Sequence, residues 1–124
     1  MAFLIDSVFD NGLSTITSSA TRLDINYGTE PTTYGEATNT KSCGNDTVTP
    51  SSPANGSPSG RAVTIPAITA GAVTASQTAA WWSLTDGTSS LIATGPLTST
   101  QAVVSGNTFT LDAITITIID AAAV

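Results

Sequence analysis

Histidine is absent from this 124-residue chain, cysteine and methionine occur once each, and three basic and nine acidic side chains carry all of its charge. Without histidine, neither a Ser-His-Asp nor a Cys-His nucleophilic arrangement can be built, and zinc sites of the usual Cys/His kind fail as well. The lone Cys43 cannot close an intrachain disulfide, so it reads as a small inert residue of a chain made in a reducing compartment, with a free thiol or an intermolecular bond as the alternative. Arg22, Lys41 and Arg61 are scattered and the net charge is −6, which argues against a partner recognised through its phosphate backbone, DNA or RNA. No window reaches the roughly 18 to 20 apolar residues of a spanning helix, so no membrane partner is expected. The start Met-Ala-Phe-Leu-Ile-Asp lacks a basic n-region and places Asp6 and Asp10 where a signal peptide is apolar, so no secretion signal is expected either. No catalytic, metal or cofactor site is expected, and the chain reads as a non-enzyme.

What is abundant is hydroxyl: 23 Thr and 15 Ser. Charged residues make up 10% of the chain, against roughly 25% in an ordinary soluble domain. The surface must therefore be hydroxyl, amide, Gly and Ala. Such an exterior is weakly self-repelling and suits a protein docked on copies of itself or on a larger shell. The length fits one domain, residues 1–124.

From Phe3 to Ala20 the apolar residues Ile5, Val8, Phe9, Leu13 and Ile16 recur at spacings of three and four, which predicts an amphipathic helix over 3–20. Asn11-Gly12 as the turn of a hairpin is the alternative. After Thr21 the period becomes two: Leu23, Ile25 and Tyr27 alternate with Arg22, Asp24 and Asn26, as in a half-buried strand. Glu30-Pro31-Thr32-Thr33-Tyr34-Gly35 reads as a turn. Residues 47–60, with Pro50, Pro53 and Pro58, read as a long loop, either an arm laid across a neighbour or solvated surface.

From Arg61 onward short apolar runs alternate with breakers: Val63 to Ile68, Ala72 to Ala75, Thr78 to Thr85, Leu91 to Thr94, Ala102 to Val104, Thr108 to Leu111 and Ala113 to Ile119. Asp86-Gly87, Gly95-Pro96 and Gly106-Asn107 are the turn signals. This spacing predicts a mainly β fold, an antiparallel β-sandwich of jelly-roll or Ig-like kind with one N-terminal α-helix. The last run puts Ile114, Ile116 and Ile118 on one face with no internal charge or proline. As a free edge it would invite cross-pairing, so it is expected to be central or paired with a partner subunit.

Candidate chemistry is thin. Asp6 and Asp10, one helical turn apart, read as solvated surface rather than a dyad. Residues 56–61 lack the glycine spacing and Lys-Ser/Thr ending of a phosphate loop. Residues 86–90 are too poor in acids for a calcium loop and read as a hairpin turn. Neighbours in a strand point to opposite faces, so Trp82, sharing parity with Ala80 and Leu84, is expected in the core and Trp81, sharing parity with Ala79 and Ser83, on the outer face. There Trp81 would be covered within the subunit, buried in an interface, or used as a ligand platform.

The ordered set Ala20-Thr21-Arg22-Leu23-Asp24-Ile25, Glu30-Pro31-Thr32-Thr33-Tyr34, Gly60-Arg61 before Val63, Trp82-Ser83-Leu84-Thr85-Asp86-Gly87 and Ser105-Gly106-Asn107-Thr108 resembles a family of small tailed-bacteriophage virion proteins. Asn26-Tyr27-Gly28-Thr29 departs from it, standing where a shorter junction, often with a Cys, is expected. The resemblance implies a virion location, assembly in the host cytoplasm, and a role as a capsid decoration or cement protein. The implied partners are the major capsid protein and copies of itself, as a dimer or trimer. Tail, fibre-adaptor or collar component and carbohydrate-binding sandwich are the alternatives. Residues expected at contacts are Trp81, Pro53 and Val124.

Overall fold

The computed structural model describes residues 5–45 and 47–120. It is mainly β, with antiparallel sheets in a sandwich-like arrangement and a helix at the amino end. Helix α1 (Asp6–Ser19) buries Phe9 and Leu13, one turn apart, with Ile16 half-buried beside them. The helix runs through Asn11-Gly12 because burying that stripe outweighs the roughly 1 kcal/mol that a mid-helix Gly costs. Ile5 and Val8 do not join the stripe and are 57% and 50% exposed. Ile5 is the extended N-cap, and Val8, one residue before Phe9, is turned about 100° away from it. The expected start at Phe3 lies outside the described residues.

Strands β1 (Arg22–Tyr27), β2 (Lys41–Asn45), β5 (Ile68–Val73), β6 (Gln77–Thr85), β7 (Leu91–Val103) and β8 (Thr108–Leu111) form one sheet, ordered β7-β6-β1-β2-β5-β8. Strands β3 (Ala54–Asn55), β4 (Arg61–Ile65) and β9 (Ile114–Ile118) form the second, ordered β3-β4-β9. Ala20, Leu23, Ile65, Ile68 and Leu84 make one buried core cluster, with Ile16, Val48, Ile92, Ile114 and Ile116 packed around it, and Ile25, Cys43, Val73 and Ala79 make a second. The expected single run from Val63 to Ile68 is two strands in different sheets. Pro66 separates them, since its missing N–H ends the ladder.

Several expectations are corrected. Strand β1 is buried on both faces rather than one: Asp24 and Asn26 are 2% and 0% exposed. On the second face Asp24 is met by Arg22 Nε at 2.8 Å, and Asn26 by a helix where 30–35 reads as a simple turn, α2 (Tyr34–Asn39), whose Ala37 carbonyl accepts from Asn26 Nδ2. Its start is a capping box: Thr33 Oγ1 accepts the Glu36 N–H at 3.1 Å, while the Glu36 carboxylate accepts from the Thr32 N–H and hydroxyl, both at 2.7 Å. Those bonds hold the Glu36 carboxyl below its ordinary pKa, the Thr32 N–H being the main cause. Gly95-Pro96 is no turn, because β7 runs through it, with Trp81 opposite Pro96. Proline is tolerated there because β7 is an edge strand. Strand β9 is also an edge, pairing only with β4 among the described residues, so of its two expected positions, central or paired with a partner subunit, the central one is overturned.

Candidate assembly interface

The three expected contact residues do not converge on one site. Trp82 packs into the core, and Trp81 lies on the opposite face of β6, as strand parity requires. Trp81 is not bare, however: it is half-buried and its indole N–H donates to the Gly28 carbonyl at 2.9 Å. Ala79, expected on the outer face with Trp81, is 3% exposed in the core, because the β6–β7 register shifts between Ala79 and Trp81. Ser83, also expected outside, is fully buried. Pro53 is half-buried, and its carbonyl accepts from Arg61 Nη2 at 3.3 Å. Val124 lies outside the described residues.

The 47–60 segment is folded onto its own chain and includes β3. The Ser51 N–H donates to the Thr64 carbonyl at 2.9 Å, and Thr17 Oγ1 donates to the Ser51 carbonyl at 2.8 Å. Arg61 is the pin at its far end. Its Nε and Nη2 grip Asp10 at 2.8 and 3.2 Å, and Nη1 donates to Asn55 Oδ1 at 2.6 Å. Asp10 is thus an anchor for α1 rather than a solvated acid, and the hydrogen bond to it raises the Arg61 pKa further. Nothing in the residue spacing links Asp10 to a cation 51 positions away.

The Asp86-Gly87 turn joins β6 to β7 as expected, with Gly87 at φ 78°. Asp86 Oδ1 accepts the N–H groups of Ser90 (2.9 Å), Ser89 (2.8 Å) and Thr88 (2.9 Å), which hold its carboxyl well below the usual carboxylate range. A folded-state pKa below the unfolded value of about 3.9 stabilises the fold above that pH, and the contribution is lost as pH falls through the folded pKa. Asp86→Ala is therefore expected to lower Tm by a constant amount between about pH 8 and pH 5, the gap to wild type closing below about pH 4. Parallel thermal melts across pH test this, and a gap that persists unchanged into strong acid rejects the role given to the carboxylate.

The second sheet covers only part of the first. The remainder is a cleft of about 630 Å³, floored by Ile25, Cys43, Ala79 and Trp82 and walled by β7 and β8. Burial pushes the Cys43 thiol pKa up, and the Ser42 hydroxyl at 3.8 Å only partly offsets this, so the thiol is a poor nucleophile. Among the described residues no three His, Cys, Asp or Glu side chains gather as metal ligands, and no helix is long and apolar enough to cross a membrane.

The exposed apolar surface is elsewhere. Ile118 and Ile119 are 38% and 62% exposed at the end of β9. A Cβ built at Gly12 would lie 3.9 Å from Ile118 Cδ1, and Gly12 is one helical turn from Val8. Ile118, on the edge strand β9, therefore lies beside α1 at Gly12. The self-pairing hazard of the Ile-Thr-Ile-Thr-Ile run is the sequence signal that points to this surface. No family model, curated protein or solved structure matches the chain.

Proposed function

We propose that the protein is a structural component of a tailed-phage virion, a homo-oligomeric decoration or cement protein that stabilises the head by bridging capsomers. The observation that carries the reading is the open β9 edge beside exposed Ile118 and Ile119, on a chain whose charged residues are 10% of the total and fall nowhere within β9. A protein that lives alone in solution blunts such an edge with Lys, Pro or a bulge, and β9 has none of these. Burying it against neighbours adds about 25 cal/mol per Å² of apolar area, multiplied over the copies on a shell. The sequence resemblance to small virion proteins points the same way.

The test is co-sedimentation of purified protein with DNA-emptied, expanded capsids, with its own mass measured in parallel. Saturable binding and raised capsid melting are expected. A strictly monomeric protein that leaves such capsids unbound and unstabilised would exclude the role, and label found only at the tail would move it there.

A further inference from the structure

The open edge of β9 has a sequence that reads the same in both directions. Ile114-Thr115-Ile116-Thr117-Ile118 is a five-residue palindrome centred on Ile116. Antiparallel pairing about a twofold axis reverses one copy relative to the other, so a palindromic edge strand is complementary to itself. We infer that β9 pairs with β9 of a second copy about a twofold axis at Ile116, joining two β3-β4-β9 sheets into one six-stranded sheet across the dimer.

The register is selected by the side chains. With Ile116 opposite Ile116 of the partner subunit, Ile114 faces the partner's Ile118, and Thr115 faces the partner's Thr117. Every cross-strand pair is then Ile with Ile or Thr with Thr, the β-branched pairing that stabilises sheets. Sliding by one residue sets Ile against Thr and turns the faces over. Sliding by two brings Asp112 or Asp120 opposite an isoleucine, desolvating a carboxylate against apolar surface. In the centred register those aspartates meet only each other, beyond both ends of the strand, where like-charge repulsion limits further pairing. Pairing also satisfies the backbone groups that β9 leaves open on the side away from β4, and it gives Ile118 an apolar neighbour. The other occupants of this edge, a strand of a different protein or further copies in an open stack, lack this match: the first has no reason to be palindromic, and the second is closed off once two edges have met.

The inference deepens the proposed role by naming its self-association surface, and the two can fail separately, because dimerisation is measured without capsids. Analytical ultracentrifugation over a concentration series is expected to show a reversible dimer. Ile118→Lys, at an exposed position, is expected to weaken the dimer about tenfold or more while leaving the far-UV CD spectrum unchanged. Register is read by cysteine pairs that replace threonines of similar size. Cα atoms of directly opposed residues lie about 4.5–5.5 Å apart, within disulfide reach, whereas diagonal ones at about 7–8 Å are not. Thr115→Cys mixed with Thr117→Cys is therefore expected to cross-link on oxidation, and neither variant is expected to cross-link with itself. Should Ile118→Lys fail to fold, this cross-linking pattern decides. A wild-type protein that stays monomeric throughout, a dimer indifferent to Ile118→Lys, or self-cross-linking of either cysteine variant in preference to the mixture overturns the inference. A monomer that still binds capsids would overturn it while leaving the virion role standing.

Discussion

Gly60→Ala is expected to destabilise the fold by about 3–5 kcal/mol, a large share of the 5–15 kcal/mol that holds a typical domain together. Two independent costs coincide at this position. Gly60 has φ 78°, where an L side chain costs about 1–2 kcal/mol. Its added methyl would also strike the Ile118 carbonyl and come within 2.8 Å of Ile119 Cα, which is backbone and cannot rotate aside. The Gly60 carbonyl meanwhile accepts the Gly56 N–H at 2.8 Å, so the turn cannot swing away without breaking its own closure. The clash falls where β9 leaves β4, and the expected damage is detachment of β9 as well as lower global stability. Gly106 isolates the backbone part: its φ is 93°, yet nothing lies within 4 Å of its missing Cβ. Gly106→Ala is therefore expected to cost only about 1–2 kcal/mol. Urea midpoints of the two variants, compared at unchanged m-value, give the contrast directly. Equal losses would mean that the contact between residue 60 and β9 is not what requires glycine there.

How far the sequence disclosed this structure depended on whether a segment's structural role left a mark in its own side chains. Strands β6, β8 and β9 were legible because each combines β-branched or aromatic residues with a nearby breaker, and α1 because Phe9, Leu13 and Ile16 keep helical spacing. Strand β2 was invisible. Lys-Ser-Cys-Gly-Asn has no β-branched residue, yet it lies between β1 and β5, where position in the sheet outweighs local preference. It holds there through backbone: the Ser42 carbonyl accepts from the N–H groups of Thr74 at 2.8 Å and Ala75 at 3.2 Å. Helix α2 did leave a mark in Thr33-x-x-Glu36, but six residues with only Ala37 buried give no stripe to read. The alternation along β1 reads as one wet face because Asp24 and Asn26 are polar; both are buried, and only tertiary packing reveals it. The interface residues divide in the same way. The β9 edge is signalled by its composition, whereas Arg61 as the pin of α1 depends on a contact to Asp10 across 51 positions that no local pattern records.

Asn26 is the second position where a single change is expected to cost several kcal/mol. It has no exposed surface and joins three elements. Its Nδ2 donates to the Ala37 carbonyl at 2.6 Å and to Thr40 Oγ1 at 3.2 Å, while its Oδ1 accepts from Ser83 Oγ at 2.7 Å. The amide thus fastens α2 to the sheet from one side and β6 to β1 from the other. Asn26→Ala removes all three bonds and leaves the Ala37 carbonyl and the Ser83 hydroxyl facing a small void, each at about 1–3 kcal/mol. The expected total is about 3–5 kcal/mol, with α2 loosened first because Asn26 supplies its fixed polar contact to β1. Asn26→Leu fills much of the volume but restores no donor, so it is expected to recover less than half of the loss. The two orphaned groups can be separated by a double-mutant cycle. Once Ser83→Ala has removed the hydroxyl, Asn26→Ala should cost at least about 1 kcal/mol less than it does in the wild-type background. Strict additivity of the two substitutions, or an Asn26→Leu protein as stable as wild type, would show that this buried amide is tolerated by the fold rather than required by it.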